Sequence, residues 1–223
     1  MNFGSNSWYK KWWGILLLIL LFLLLIFITA MAFYVRDIRK TAKTQKDIPA
    51  YFTGDKYDII DYNNYSIGAY TPKLIINEFA DFACPYCKDS FTNIREMSIR
   101  YKDRVKIIYH DYPIHDESQT LALAARCAGE QGLFWPMHDK LFQNQGITMI
   151  SEAEVLATQI GVDIKRYKDC IQSKKYSAEI LKDYAQGQKL GITGTPTWFF
   201  NGYKIEGDNP SDIFVKLVEE GLK

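Results

Sequence analysis

Histidine and close cysteine clusters are scarce in this chain. The three histidines, His110, His115 and His138, stand singly, and the four cysteines comprise one close pair, Cys84 and Cys87, and two distant residues, Cys127 and Cys170. A structural zinc site draws four ligands from closely spaced pairs, so this distribution argues against a metal centre, and no metal is expected. Excess charge is absent too. Lysine and arginine number 27 against 26 aspartates and glutamates, a net charge of +1. Without residues 1–35, which hold only Lys10 and Lys11 among charged groups, the balance is 25 to 26, or −1. No global field therefore draws a polyanion, and a nucleic-acid partner is not expected. At 48% apolar and 24% charged residues the composition is that of a folded domain rather than a disordered chain. Internal repeats are lacking, and the one biased tract lies near the N-terminus.

That tract is defined by what it lacks: from Gly14 to Val35 no residue carries a charge. At about 1.5 Å per helical residue it is long enough for a hydrocarbon core of roughly 30 Å. Trp8, Tyr9, Trp12 and Trp13 precede it, and Phe33 and Tyr34 close it, the placement of an interfacial aromatic belt. A transmembrane signal-anchor over residues 14–35 is expected, contacting the lipid bilayer, after a tail at 1–13. Lys10-Lys11 and Ala30-Met31-Ala32 also fit a cleaved signal peptide, although the apolar run exceeds what an h-region needs. Lys10 and Lys11 lie before the run, and Arg36, Arg39, Lys40, Lys43 and Lys46 after it. That asymmetry, read literally, keeps the C-terminal part in the cytoplasm. Export by an N-terminal signal, and the chemistry argued below, favour the extracytoplasmic side of the cell membrane, which is the expectation adopted.

Residues 36–66 read as a polar tether and lead-in, with a short strand at Tyr57–Tyr62. Beyond them the pattern predicts a buried strand over Lys73–Ala80, a helix from about Cys84 to Tyr101 with Phe91, Ile94, Met97 and Tyr101 on one face, and a strand at Val105–His110. Helices follow at Gln119–Glu130, at Phe134–Gln143 with Pro136 in the first turn, from the capping-box pattern Ser151–Glu154, after the cap Asp163, and at Lys174–Leu190. Strands return at Thr197–Phe200 and Tyr203–Ile205 around the hairpin signal Asn201-Gly202, before a last helix at Pro210–Leu222. The aromatic block at Phe134, Trp135, Met137 and Phe142 reads as core, and His138 as a satisfied helix histidine.

The chemistry concentrates in Ala83-Cys84-Pro85-Tyr86-Cys87-Lys88. A strand, a tight turn, two cysteines separated by two residues, and a helix form the context of thiol redox chemistry. Only a thiolate attacks a disulfide, and the unpaired N–H groups and positive dipole at a helix start favour one. Cys84 is therefore expected to be the exposed nucleophile and Cys87 the buried resolving thiol, with Pro85 suited to the first helical turn. An inert structural disulfide and two unrelated core cysteines are the alternatives. Gly194-Thr195-Pro196-Thr197, just before a strand, offers a candidate cis-proline.

With Glu78-Phe79-Ala80-Asp81-Phe82-Ala83 leading into that motif, and with Ala124-Ala125-Arg126-Cys127-Ala128 and Phe134-Trp135-Pro136-Met137-His138-Asp139 further on, residues 67–223 resemble the DsbA-like thiol–disulfide oxidoreductases of the thioredoxin superfamily. Pro-Tyr between the cysteines also occurs in glutaredoxins. However, 109 positions separate Cys87 from Pro196, room for the helical insertion of the DsbA type. The resemblance implies an α/β thioredoxin-like fold with an inserted helical subdomain at about 114–191, preceded by the transmembrane helix. It also implies substrate binding at Thr195, Pro196, Pro85 and Tyr86, and a buried proton-transferring carboxylate at Glu78, whose alternative is an exposed strand-end acid. DsbA itself carries Pro-His where this chain has Pro85-Tyr86, so a less oxidising centre is expected.

Cys127 and Cys170 form an even leftover pair, for which a structural disulfide is expected if the domain is exported, and buried free thiols otherwise. Taken together, the expectation is a monomeric, cofactor-free oxidase. It would use Cys84 and Cys87 to introduce disulfide bonds into unfolded or reduced exported proteins, with a membrane redox partner to reoxidise it. The same residues run in reverse would make a reductase or isomerase, and a holdase that only grips unfolded chains is the non-enzymatic alternative.

Overall fold

The computed structural model describes residues 12–46 and 52–223 and divides into two units at residue 50. In the first unit, helix α1 runs Trp12–Lys46. Its stretch Trp12–Arg36 has a mean hydropathy of 3.3 and none of that window is buried, so it is long and apolar enough to cross a membrane. The helix continues into what the sequence reads as a tether, because no proline or glycine interrupts residues 15–48. Trp8 and Tyr9 of the expected aromatic belt fall outside the described residues.

The second unit is built on a five-stranded mixed sheet: β1 Ser66–Gly68, β2 Leu74–Ala80, β3 Val105–Asp111, β4 Thr197–Phe200 and β5 Tyr203–Glu206, in the order β1-β3-β2-β4-β5. β2 and β3 are parallel and the other pairs antiparallel. Helix α2, Pro85–Arg100, makes the crossover between the parallel strands. Helices α3 Ser118–Gly129, α4 Phe134–Gln143, α5 Ile150–Gln159, α6 Ile164–Gln172 and α7 Ser177–Lys189 lie between β3 and β4, and α8, Ser211–Gly221, ends the unit. The α/β thioredoxin-like fold with a helical insertion is what the sequence predicts.

Strand alternation assigns the faces. Leu74, Ile76, Val105, Ile107, Trp198 and Phe200 pack in one core with Ile94 and Met97 of α2 and Phe214, Leu217 and Val218 of α8. The opposite face of the sheet carries Phe79 and Phe199, packed with Tyr112 and Ile192. A third core joins Phe82, Cys87 and Tyr109 to the insertion through Phe134, Met137, Phe142 and the α3 alanines. Full burial of side chains such as Ile94 and Met97 is worth about 1.5–3 kcal/mol each, so α2 is held by its inner face rather than by its polar sequence. Phe91 and Tyr101, at the ends of the expected stripe, are only partly buried.

Three local expectations fail for identifiable reasons. Tyr57–Tyr62 is not a strand: the Gln186 side chain accepts from the Ile60 N–H at 2.8 Å and donates to its carbonyl at 3.1 Å, taking the place of a ladder. The added strand is instead Ser66–Gly68. Helix α5 begins before Ser151; Glu152 supplies the cap by accepting from the N–H groups of Thr148 and Met149. Helix α7 starts at Ser177 rather than Lys174, whose φ of 51° is left-handed. Asp163 caps α6 as expected, accepting from Lys165 and Arg166.

The insertion is tied to the sheet by buried charge. The Arg126 guanidinium on α3 donates through Nε to Asp111 of β3 and through Nη2 to Asp183 of α7 at 2.6 Å. Asn64 donates to Asp183 at 2.6 Å and to the Tyr109 carbonyl at 2.9 Å. His110 stacks on Phe79 and lies 2.9 Å from the Asn77 side-chain oxygen. Breaking such a buried pair costs several kcal/mol because it strands an uncompensated charge.

Candidate functional site

The site is assembled where β2 ends and α2 begins. Cys84 is the N-cap of α2, with extended backbone, and Pro85 takes the first turn. The N–H groups of Tyr86 and Cys87, which have no helical acceptor, therefore face the Cys84 sulfur. Cys84 and Cys87 are both thiols, and Cys127 and Cys170 are joined by a disulfide. The Thr195–Pro196 peptide bond is cis, and the Thr195 carbonyl accepts from the Cys84 thiol at 3.2 Å, so the two stretches that the sequence holds far apart meet at one sulfur.

The two cysteines are driven in opposite directions. Cys84 is lowered to about 6, first because the Cys87 thiol donates to its sulfur, with Thr195 and the Cys87 and Tyr86 N–H groups adding, against the effect of burial. Cys87 is pushed well above its ordinary value, chiefly by burial and then by Cys84. In the thiolate state Cys84 has no proton to give Thr195, and the donors from the α2 terminus take over.

Exposure departs from expectation. Cys84 is only 3% exposed, whereas Pro85 and Tyr86 stand in solvent and Thr195 and Pro196 are buried. The reactive cysteine is therefore nearly closed off rather than standing on an open helix end. The loop between α4 and α5 packs on this turn: Gln145 donates to the carbonyls of Phe82 at 3.1 Å and Cys84 at 2.7 Å.

Glu78 is not an exposed strand-end acid. It shares the α2-facing side of the sheet with Leu74 and Ile76, and its register neighbours there are Tyr109 and Trp198. It is fully buried, and among the described residues neither carboxyl oxygen finds a hydrogen-bond partner. Burial raises it to about 8, so it is protonated at neutral pH and able to give or take a proton in a dry interior. The Tyr109 hydroxyl is pushed far up by burial, then by charge at Asp111, Glu78 and Cys87, which puts the carboxyl and the buried thiol in one neighbourhood.

Asp81 and His115 are neighbours of the cysteine motif that sequence reasoning misses. The Asp81 carboxylate accepts from Ala83 N–H at 2.8 Å, from Ile114 N–H at 2.8 Å, from His115 N–H at 3.2 Å and from His115 Nδ1 at 2.8 Å. Its carbonyl accepts from Cys84 N–H at 3.1 Å. The acid's position next to the cysteine motif was a signal; its partner 34 residues on was not. His138 is half satisfied at most: Nδ1 meets Asp139 at 3.0 Å, but Nε2 is buried without a partner among the described residues. No group of acidic, histidine and cysteine side chains that would hold a metal occurs among the described residues.

Known proteins share this architecture. Residues 62–220 match the family model described as thioredoxin. A thioredoxin-like oxidoreductase from Silicibacter pomeroyi DSS-3 superposes with a TM-score of 0.66 at 25% identity, covering 71% of this chain and 92% of that one. Oxidised BdbD from Bacillus subtilis gives 0.66 at 24% identity, over 75% and 98%. A sequence relative, the Na(+)/H(+) antiporter NhaA 3 of Salinispora tropica, is 32% identical over 137 residues, 60% of this chain and 21% of that protein. The chain thus spans about a fifth of the length of the curated relatives it matches. With the paired thiols at a helix start, the cis-proline loop opposite and the helical insertion in place, the chain belongs to the thioredoxin family.

Proposed function

We propose that this protein oxidises thiol pairs in exported proteins, on the extracytoplasmic side of a membrane to which α1 anchors it. The observation that carries the oxidative direction is the opposed treatment of Cys84 and Cys87: a thiolate stabilised at Cys84 favours the reduced pair, and a pair that prefers to be reduced is an oxidant. The Cys127–Cys170 disulfide supports an oxidising compartment.

In the forward reaction a substrate thiolate attacks Cys84 Sγ of the Cys84–Cys87 disulfide. A substrate–Cys84 bond forms, the Cys84–Cys87 bond breaks, and Cys87 leaves with the electron pair. Burial disfavours Cys87 as a thiolate, so it takes a proton, and Glu78, protonated below about pH 8, is the donor. A second substrate thiolate then attacks the substrate sulfur of the mixed disulfide and expels Cys84 as the favoured thiolate. The substrate is oxidised by two electrons and the pair reduced by two. Turnover requires a disulfide or quinone-linked membrane partner to accept those electrons. Thr195, Pro196, Pro85 and Tyr86 border the sulfur and would hold the substrate chain beside it. No cofactor enters the cycle.

Replacing Cys84 by Ser tests the assignment. Disulfide formation in a reduced substrate protein is expected to fall to the uncatalysed rate, in vitro and in cells lacking the native protein. Unchanged catalysis by the variant would leave only a chain-binding role.

A further inference from the structure

A histidine is bound to the same carboxylate that organises the turn before Cys84. We propose that His115, held by Asp81, supplies the positive charge beside Cys84 that keeps its thiolate from being repelled by that carboxylate.

The geometry begins with Asp81. Its side chain and carbonyl accept from Ala83 and Cys84, so a negative charge is fixed within one turn of chain of the reactive sulfur. Asp81 is 2% exposed, so water screens it poorly. Alone, such a neighbour disfavours a thiolate. Neither Pro85 nor Tyr86, the two residues between the cysteines, carries a cation to offset it. The loop after β3 provides one: Ile114 and His115 donate backbone N–H groups to Asp81 Oδ2, and the imidazole adds Nδ1–H to the same oxygen at 2.8 Å. With Nδ1 bonded to a carboxylate, a proton on Nε2 makes the ring a cation, and the ring is partly open to water at 41% side-chain exposure.

The charged groups around this ring are Asp81 from the turn after β2, Cys84 from the start of α2, and Glu117 from its own loop. All three favour the imidazolium: His115 is raised, first by the Asp81 hydrogen bond, with Cys84 and Glu117 adding and burial opposing. Since the attraction between His115 and Cys84 is reciprocal, whatever Cys84 does for the imidazolium, the imidazolium does for the thiolate. His115 acts through charge rather than contact, so it is a positioning residue for the thiol chemistry, not a catalytic one.

The inference rests on the thiol–disulfide reading but is separable from it, because thiolate titration needs no substrate. The reduced full-length protein in detergent is titrated by thiolate ultraviolet absorbance, and its equilibrium with glutathione is measured. His115→Gln keeps a donor for Asp81 but loses the charge; His115→Arg keeps the charge. Opposite charges at close range shift ionisation by about tenfold or more, and partial exposure reduces this, so the Gln variant is expected to lose about three- to tenfold in the Cys84 dissociation constant. It should become less oxidising in the same sense, and the Arg variant should recover most of both. A wild-type titration in His115→Gln overturns the proposal, as does an equal loss in both variants. Should His115→Gln not fold, the His115 titration by NMR in Cys84→Ser decides: the imidazole must lose its proton at lower pH than in the wild type, and an unchanged midpoint overturns the proposal. A normal Cys84 titration shift with no disulfide formation would count against the oxidase reading alone.

Discussion

At the scale of the residue, the site divides labour between groups only three positions apart. Cys84 sits where helix N–H groups collect and is lowered to about 6, while Cys87, one turn on, faces the core and is raised. Glu78 is the counterpart beneath them. Its carboxyl is raised to about 8 in the folded protein from an ordinary value of 4.5, so it stays neutral where an unfolded chain would ionise it. The stability tied to that proton is complete below about pH 4.5 and is lost as pH rises to about 8. Linkage puts the full loss at about 5 kcal/mol, as an upper figure. Glu78→Leu, walled by Tyr109 and Trp198, should therefore gain stability over the wild type progressively from pH 5 to 8, reaching about 3–5 kcal/mol in urea titrations, while slowing release of Cys87. A stability difference that does not vary with pH across this range would show that Glu78 is not held neutral. The motif and the carboxylate were legible in the sequence because both lie within ten residues of one strand end. The Asp81–His115 pair was not, because it closes between two loops whose approach depends on the whole sheet.

At the scale of the element, the insertion is clamped to the sheet by charge at one end of α3, and a covalent bond on the same helix ties the insertion to itself. Arg126 reaches Asp111 and Asp183, and the next residue, Cys127, is bonded to Cys170 of α6. The bond closes a sequence separation of 43 residues, which the loop-entropy model values at about 4 kcal/mol. The double variant Cys127→Ala, Cys170→Ala should thus lower unfolding free energy by about 3–4 kcal/mol in denaturant titrations, with thiol-free conditions leaving the variant unaffected and the wild type intact. A loss below about 1 kcal/mol would mean that α3 and α6 are held by packing alone. Helices with strong periodicity, such as α3 and α4, could be read within a residue or so from the chain. Short β1 could not: three residues are too few for a period of two to register, and it exists because β3 offers an edge to pair with. The start of α5 was misread because the Glu152 carboxylate, rather than the Ser151 hydroxyl, satisfies the first turn.

At the scale of the whole molecule, the described residues hold one apolar helix and one thioredoxin-like domain. The basic residues after α1 oppose an extracytoplasmic domain, while the Cys127–Cys170 bond and the redox pair favour it. A reporter enzyme that works only outside the cytoplasm, fused after Lys223, should be active; activity only of a cytoplasm-dependent reporter at that position would reverse the topology. The central claim, that electrons flow from substrate thiols into this pair, is read most directly from its steady state in growing cells. Rapid acid quenching followed by alkylation and mass spectrometry reports whether Cys84 and Cys87 are bonded. The account predicts that most of the protein carries the Cys84–Cys87 disulfide, ready to accept electrons and replenished by its partner. A pair found predominantly as two thiols would contradict it, and would assign the same residues to reduction or isomerisation.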